Sequence, residues 1–367
     1  MGIVRTLEEE EERMELEEFR RTVLLATAAL NRRKDEEEFR GLPVPSEDFV
    51  GDCEEEKLVC VTSGVSFLGL SVVNRLLLRG YSVRIIVDNE EDVEKLREME
   101  TSGEMMRTGN RNISVVTAKL TEVHGLMEAF DGCLAVLHTS AFVDPAGFSG
   151  YSKSMAEIEV KASENVIKAC ARTASVRYCV LTSSLLACIW RDGTQHELSP
   201  VVNHHCWSDE SLCMDKKLWY ALGKLRAEKA AWRLAEEMGL KLTTICPGLI
   251  TGPKFFSRNS TATIAYLKGA QEMYADGLLA TVDVNRLAEA HACVLEAMNN
   301  TASGRYICFD YVIENGEEAE NLAREVGIPS DRISGNQFNF IPTRFQLSDR
   351  KLTNLMSRIS RSCYREC

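Results

Sequence analysis

From residue 57 onward, two kinds of hydrophobic segment alternate along the chain. Short runs rich in β-branched residues predict strands, and longer segments with apolar residues three and four positions apart predict helices. The predicted strands are 57–62, 82–87, 113–118, 134–137, 176–182 and 240–246, and the predicted helices are 67–79, 156–173 and 218–238. Strands separated by helices of this length indicate an α/β fold, a doubly wound parallel sheet with helices on both faces.

The first 56 residues follow a different pattern. Between residues 8 and 34, Leu16, Phe19, Val23 and Leu30 recur at helical spacing, which predicts an amphipathic helix that packs onto the body or onto a partner protein. Residues 35–56 are acidic and contain Gly and Pro, as a linker does. The first six residues fit a loose myristoylation pattern, but anionic lipid would repel this acidic helix, so we do not expect membrane attachment.

Charge and cysteine content indicate which partners and which cell compartment the protein has. The chain has 367 residues and a net charge of −12, and most of that charge lies in the extension. With no basic face predicted, we expect no nucleic-acid partner. The 13 cysteines include no Cys-x-x-Cys pair, which favours reduced thiols and a cytoplasmic location. The adjacent His204 and His205 would point apart, so we expect no metal site.

The first predicted strand leads through a tight turn into the first predicted helix. A dinucleotide pyrophosphate binds at such a junction, on free backbone N–H groups and the positive end of the helix dipole. The candidate binding residues at this junction are Thr62, Ser63, Gly64, Ser66, Phe67, Leu68 and Gly69. Gly64 is the residue expected to supply a turn with positive φ.

A second motif places an acid–base pair on one helix face. Tyr220 and Lys224 are four residues apart in the predicted helix 218–238, one turn from each other. A nearby ammonium stabilises a phenolate, so we expect Lys224 to lower the pKa of Tyr220 and make it a general acid for a carbonyl oxygen. Ser183 and Ser184 end a strand, at the sheet edge where ligands bind.

Many motifs of the chain occur in one order in a known family. They include His138-Thr139-Ser140, Thr182-Ser183-Ser184, Cys206-Trp207-Ser208-Asp209, Trp219-Tyr220-Ala221-Leu222-Gly223-Lys224 and Ser303-Gly304-Arg305-Tyr306. From about residue 57 to residue 356 the chain resembles the plant cinnamoyl-CoA reductase and dihydroflavonol reductase group of extended short-chain dehydrogenases. The Trp-Tyr-x-x-Gly-Lys form favours the cinnamoyl-CoA reductase side.

The resemblance implies a Rossmann-type domain over 57–252, with 1–56 as an acidic helical extension and linker and 253–367 as mainly a substrate lobe with returning sheet elements. By the same resemblance Ser184 polarises the substrate carbonyl, Tyr220 donates the proton, and Lys224 assists Tyr220 and holds the ribose. The implied cofactor-lining residues are Thr139, Ser140, Pro247, Leu249 and Ile250, besides the loop. The region 192–213 is expected to contribute to the substrate lobe.

Several cofactor determinants depart from the family pattern. Ser63 and Ser66 stand where the family has glycines, and Lys119 replaces an Asp that meets the adenine amine. Where the family binds the adenosine 2′-phosphate with Arg and Lys, this chain has Asp88 and Glu94. The resemblance therefore implies NADP, whereas the charges favour NAD, since a carboxylate at this position hydrogen-bonds a free 2′-hydroxyl.

These observations predict a cytoplasmic NAD(P)H-dependent reductase of a small-molecule carbonyl or CoA-thioester substrate, with a place in lignin or phenolic defence metabolism implied by the resemblance. One alternative keeps the enzyme with a flavonoid or steroid alcohol as substrate. Another is a catalytically weak homologue that acts as a binding or regulatory protein and contacts its partner through the N-terminal helix.

Deleting residues 1–50 should leave the reductase body folded, because the alternating strand–helix pattern begins only at residue 57. The truncated chain should give the same cooperative unfolding transition, with a greater tendency to associate if an apolar patch is uncovered. Unfolding and size-exclusion measurements on both chains check this. Loss of soluble folded protein would show that the extension belongs to the core.

Overall fold

A computed structural model describes residues 57–106, 112–139, 151–191, 199–335 and 344–363. The predicted N-terminal helix, the linker and the candidate residue Ser140 lie outside these ranges. Within them, no helix has both the length and the hydrophobicity that a membrane span requires.

The main sheet of the described chain is parallel throughout. Its strands are β1 (Leu58–Val61), β2 (Ser82–Val87), β3 (Ile113–Thr117), β4 (Ala135–His138), β5 (Tyr178–Thr182), β7 (Lys241–Pro247) and β10 (Gly304–Cys308). They lie in the order β3-β2-β1-β4-β5-β7-β10, and every neighbouring pair is parallel. Because β4 lies beside β1 rather than β3, the strand order reverses at this point. The predicted doubly wound α/β fold is confirmed.

Two smaller sheets accompany the main sheet in the described residues. The strands β8 (Leu249–Thr251), β9 (Ala280–Asp283) and β11 (Tyr311–Val312) form one sheet, and β6 (Val201–Val202) pairs with β12 (Gln346–Leu347) in another. Its strand β8 follows β7 directly, so the three-stranded sheet lies at the edge where the central strands have their carboxyl ends.

Helices cover both faces of the main sheet. The first seven are α1 (Phe67–Leu78), α2 (Glu90–Thr101), α3 (Val123–Phe130), α4 (Lys153–Arg172), α5 (Leu186–Ile189), α6 (Glu210–Asp215) and α7 (Trp219–Met238). The others are α8 (Phe255–Leu267), α9 (Ala270–Ala275), α10 (Val284–Ala297), α11 (Gly316–Val326), α12 (Asp331–Ser334) and α13 (Arg350–Cys363). The α4 helix begins earlier than predicted because Ser152 caps it, accepting a hydrogen bond from Met155 N at 3.4 Å.

Side chains of alternate strand residues fill two separate cores. In β1, Val59 and Val61 belong to the core that includes α1 and α10, whereas Cys60 belongs to the core under α3, α4 and α7. This division follows from the period of two along a strand, which sends neighbouring side chains to opposite faces. A sheet buried on both faces needs apolar residues at nearly every position, which is why its strands read as continuous hydrophobic runs.

A buried ion pair connects α7 to the last strand of the sheet. Glu228, with no exposed surface, accepts two hydrogen bonds from Arg305 of β10, Nε to Oε1 at 2.8 Å and Nη2 to Oε2 at 3.1 Å. Ser183 and Thr244 each donate a hydroxyl to the same carboxylate at 2.6 Å. The guanidinium also lies over the Trp207 ring, 3.5 Å from its centroid. The charges are therefore satisfied although water is excluded.

Replacing Glu228 with Gln should lower the free energy of unfolding by about 3–5 kcal/mol, because the buried Arg305 would lose its counter-charge. Denaturant unfolding measures the change. The matched control is Glu237→Gln on the same helix, since Glu237 pairs with Arg233 at the surface at 3.1 Å and should cost less than about 1 kcal/mol. Equal losses in the two variants would contradict the role given to the buried pair.

Candidate active site

The candidate site lies at the carboxyl edge of the sheet, where the strand order reverses between β1 and β4. Thr62 follows β1, and its hydroxyl is hydrogen-bonded to Nδ1 of His138, the last residue of β4, at 2.9 Å. Burial, and then the charge of Lys224, lower the pKa of His138 to about 3, so this imidazole is neutral at physiological pH. A crevice at such a reversal is where doubly wound sheets bind ligands.

The loop after β1 closes tightly onto the start of α1. Ser66 caps the helix: its hydroxyl donates to the Ser63 carbonyl at 2.8 Å and accepts from Gly69 N at 3.0 Å. A Cβ at Gly69 would lie 1.7 Å from the Ser63 oxygen, so only glycine fits there. Ser66 thus uses one of the N–H groups that a helix start offers to an anion.

Two details of this loop differ from the sequence expectation. Gly64 was expected to adopt a positive φ, but it is absent from the positive-φ glycines of the described residues. A Cβ at Gly64 would instead approach Ile85 of β2 to 2.5 Å, so close packing against the neighbouring strand requires the glycine. Phe67 and Leu68 are buried in the first turn of α1 and anchor the loop to the core.

Thr139 follows β4 and is buried, and its hydroxyl oxygen has no hydrogen-bond partner among the described residues. A buried hydroxyl without a partner is costly and marks a place that a ligand can complete. Its predicted neighbour in the site, Ser140, lies outside the described residues.

Tyr220 and Lys224 lie one turn apart on α7, with the Lys224 ammonium 5.7 Å from the Tyr220 ring centroid. The ammonium forms an ion pair with Oε1 of Glu159 on α4 at 2.6 Å, and both side chains are buried. Tyr151 donates its phenol to the other oxygen of Glu159, and its ring meets that of Tyr220 edge to face at 4.9 Å. Gly223 makes this close approach possible, since a Cβ there would lie 2.7 Å from the Tyr151 phenol oxygen.

The pKa of Tyr220 is raised above its ordinary value, not lowered as the sequence suggests. Burial is the main cause, Lys224 opposes it, and the carboxylate of Glu159 raises the pKa again. Burial is the largest influence on the pKa of Lys224 and lowers it, but Glu159, Tyr220 and Glu228 together raise it, so the net pKa is raised. Lys224 does lower the pKa of Tyr220 as expected, but the expected net direction was wrong because burial, with Glu159, outweighs the ammonium.

Ser184 is buried directly after β5, at the same edge of the sheet. Its hydroxyl oxygen accepts a hydrogen bond from Leu186 N at 3.2 Å, which leaves the hydroxyl as a donor. The preceding Ser183 binds Glu228 on α7, one turn beyond Lys224. The buried ion pair of the fold therefore fixes the strand that carries Ser184 to the helix that carries the acid–base pair.

The end of β7 and the residues that follow it lie beside the end of β5, at the edge of the candidate site. The Pro247 carbonyl accepts a hydrogen bond from Leu185 N at 2.7 Å, so this segment is joined to the residue after Ser184. Leu249 and Ile250 belong to β8, where Leu249 is buried and Ile250 is half-buried. Gly248 connects β7 to β8. A Cβ there would lie 2.6 Å from the carbonyl of Ala280 in β9, so the connection needs a glycine.

Comparisons with known proteins agree with this geometry. A model of the 3-beta hydroxysteroid dehydrogenase/isomerase family matches residues 60–315. Cinnamoyl-CoA reductase 1 of Petunia hybrida is 35% identical over 309 residues, 82% of this chain and 86% of that protein. The chain belongs to the 3-beta hydroxysteroid dehydrogenase/isomerase family. It is an oxidoreductase of the extended short-chain dehydrogenase/reductase type, and the expected similarity to cinnamoyl-CoA reductases is confirmed.

Other relatives widen the range of reductases to which the chain is similar. Tetraketide alpha-pyrone reductase 1 of Arabidopsis thaliana is 31% identical over 301 residues, 80% of this chain and 85% of that protein. The crystal structure of the yeast methylglyoxal/isovaleraldehyde reductase complexed with NADPH has a TM-score of 0.60 at 20% identity, covering 82% of this chain and 93% of that one. That structural likeness supports the fold.

This family member has unusual charges after β2. Asp88 is exposed directly after the strand, and Glu94 of α2 pairs with Arg97 at 2.5 Å. Arg84 donates to the carbonyls of Ala129 and Asp131 at 2.9 and 2.6 Å. Those carbonyls precede β4, so the guanidinium lies at the amino edge, away from the candidate site.

Lys95 of α2 is another cation in this part of the sequence, and it pairs with Glu91 at 3.0 Å and Asp92 at 3.3 Å. It is therefore already engaged by the acidic first turn of α2. Lys119 is exposed in the turn after β3, where Ala118 N donates to the Val87 carbonyl at 3.0 Å. Lys119 thus follows the strand next to Asp88 at the same edge.

Sequence reasoning missed Glu159, Glu228 and Arg305 as residues that position the site. A signal was present for the two glutamates, because each interrupts an otherwise apolar or small-residue helix stripe. Glu159 lies among Met155, Ala156, Ala162 and Ser163, all of them buried. An acid at such a position needs a buried partner, but the pattern does not say which one.

The adjacent histidines also differ from expectation. The rings of His204 and His205 lie side by side, with centroids 4.0 Å apart, rather than pointing apart. The two residues sit in a turn, where the alternation of a strand does not apply. Burial, and then the charges of Lys351 and neighbouring groups, lower the pKa of His204 to about 4. In the described part of the chain, no group of three metal-ligating residues has the geometry of a metal site.

Proposed function

We propose that this protein is a nicotinamide-dependent reductase of a carbonyl or CoA-thioester substrate. The observation that carries the proposal is the pair of half-buried Tyr220 and buried Lys224 at the carboxyl edge of a doubly wound sheet, with Ser184 at the end of a neighbouring strand. The similarity to cinnamoyl-CoA reductases supports the same reaction class.

Each of the three side chains has a distinct task in the proposed reaction. The hydroxyl of Ser184 donates a hydrogen bond to the substrate carbonyl, and the Tyr220 phenol donates the proton that the reduced oxygen needs. Lys224 supplies positive charge next to the phenol. For a CoA thioester the resulting thiohemiacetal collapses to an aldehyde and free CoA.

The residues around β1 and β4 fit a dinucleotide. Gly69 keeps the loop free of a side chain that the Ser63 carbonyl would meet, and Thr139 offers a buried hydroxyl that has no partner among the residues the structure describes. With a nicotinamide cofactor bound there, the cofactor supplies the hydride. We infer that Thr62, Thr139, Ser140, Pro247, Leu249 and Ile250 line it, together with the loop 63–69.

A phenylpropanoid CoA ester is the proposed substrate, within lignin or phenolic defence metabolism and in the cytoplasm. One alternative substrate class is a flavonoid or steroid alcohol, and the tetraketide alpha-pyrone reductase relative supports a tetraketide pyrone as another. We place the substrate between residues 192–213 and the chain beyond 253, which we propose as the lobe that completes the domain 57–252. A catalytically weak binding protein is a second candidate, favoured by the Ser66 hydroxyl on Gly69 N.

Tyr220→Phe should lower turnover about 10²–10⁴-fold, the usual contribution of general acid catalysis, while the fold is kept. The assay is reduction of a panel of hydroxycinnamoyl-CoA esters, with circular dichroism to check the fold. Tyr178→Phe is a control, since that phenol binds Asn299 at 3.1 Å on another part of the sheet. Turnover that survives in both Tyr220→Phe and Lys224→Ala would refute the reductase mechanism, and no turnover by the wild type on any ester would favour the binding protein.

Wild-type protein should bind NADH more tightly than NADPH, because the doubly charged 2′-phosphate would face Asp88 while Arg84 and Lys95 are engaged elsewhere. Titration calorimetry with both cofactors gives the two dissociation constants. Asp88→Arg should reverse the preference by removing a negative charge and adding a positive one.

Lys119→Ala tests whether Lys119 binds the 2′-phosphate and reverses the preference expected from Asp88. If the wild type binds NADPH tightly, Asp88→Arg gives no improvement, and Lys119→Ala weakens NADPH alone, then Lys119 holds the 2′-phosphate and the preference for NADH is wrong. An unchanged ratio of the two constants in Lys119→Ala agrees with the proposal.

A further inference from the structure

We propose that Glu159 is a positioning residue that holds Lys224 in place and controls the protonation of the Tyr220–Lys224 pair. The inference rests on the proposed function for its catalytic meaning, but the contacts that carry it stand by themselves. Glu159 lies on α4, whereas the three proposed catalytic side chains come from the end of β5 and from α7.

Both oxygens of the Glu159 carboxylate have buried partners. Oε1 is 2.6 Å from the Lys224 ammonium, and Oε2 accepts the phenol of Tyr151. The side chains of Lys224 and Glu159 are 4% and 3% exposed, so solvent does not compete for either charge. A carboxylate held by two donors in a dry environment has one orientation, and it imposes one orientation on the ammonium.

The packing of α4 against α7 makes this contact specific. Gly223 lets the start of α4 approach so closely that a Cβ would lie 3.1 Å from the Ala156 Cα. The same approach puts the Tyr151 ring against Tyr220 at 4.9 Å. Tyr151 therefore contacts both Glu159 and the proposed proton donor, and the four side chains form one connected cluster.

Further groups act on this cluster from each element packed against it. They are His138 at the end of β4, Glu228 one turn further along α7, and Tyr266 on α8. His138 carries no charge at neutral pH because burial holds its pKa at about 3. Glu228 is already bound by Arg305, so Glu159 is the carboxylate that contacts the Lys224 ammonium directly.

A carboxylate at this position has two effects on the proposed acid. It keeps Lys224 protonated although the ammonium is buried, and it disfavours a second negative charge on the Tyr220 phenol. The first effect keeps the ammonium protonated to higher pH, and the second keeps the phenol protonated against the opposing influence of the ammonium. The pair thus stays in the form that donates a proton to a reduced carbonyl oxygen. Removing the carboxylate shifts the titration of the phenol to lower pH as long as Lys224 keeps its proton.

Glu159→Gln tests this with little change in shape. The readout is the phenolate absorbance of Tyr220, taken as the difference between the pH titration of a protein and that of the same protein carrying Tyr220→Phe. The midpoint should fall by about one pH unit, because the phenol loses the repulsion of a nearby negative charge while Lys224 keeps its own charge. The alkaline limb of kcat/KM should move in the same direction.

The matched control is Glu164→Gln, which removes the same charge from the same helix. Glu164 is 3.4 Å from Lys168 and 3.7 Å from Arg233 at the surface, away from Lys224. Its midpoint should stay at the wild-type value. Glu159→Asp keeps the charge on a shorter side chain and should return the midpoint most of the way to the wild-type value. A midpoint in Glu159→Asp as low as in Glu159→Gln would contradict the role given to the charge.

The outcomes separate this inference from the proposed function. A midpoint that is the same in wild type, Glu159→Gln and Glu164→Gln overturns the inference, as does one that stays beyond the measurable range in all three. A shift confined to Glu159→Gln supports it. If Tyr220→Phe leaves turnover intact, the proposed function fails, while the phenolate titration still decides whether Glu159 controls the pair.

Discussion

A buried carboxylate must be fully paired, and the placement of α7 depends on how Glu228 meets that requirement. Arg305 supplies the charge, and hydroxyls from β5 and β7 supply the remaining hydrogen bonds. These contacts join one helix to three strands of the sheet. Because an unpaired buried carboxylate would strongly lower the stability of the fold, α7 has little freedom to slide or rotate against the strand ends.

The second buried ion pair of α7 lies one turn earlier and includes Lys224 of the proposed acid–base pair. Lys224 and Glu228 are four residues apart on the same helix face, and their partners come from different elements, Glu159 from α4 and Arg305 from β10. The helix is therefore held at both points, and the Tyr220 phenol projects from its first turn. An acid–base pair that is positioned before any ligand arrives has less reorganisation to undergo during the reaction.

The fold could be predicted from sequence more fully than the site. Buried parallel strands appear as short apolar runs, so the order of the first six strands of the main sheet followed from the pattern. The pattern did not give β10 or the helices α2, α3 and α10. The conformation of Gly64 and the pKa of Tyr220 depend on residues distant in sequence, Ile85 and Glu159, and local spacing contains no information about them. Glu228 could be noticed as an acid on a buried stripe, but its partner stands 77 residues away.

The position of Arg305 in the chain has a consequence for synthesis. The ribosome releases the chain from its amino end, so Ser184, Tyr220 and Lys224 leave it before Arg305 does. Until β10 adds to β7, that strand is an open edge able to pair with other chains, and Glu228 lacks its cation. The boundary proposed at residue 252 therefore does not separate two independent folding units, because β10 lies beyond it and completes the sheet. The nascent catalytic half completes its core only when the last strand arrives.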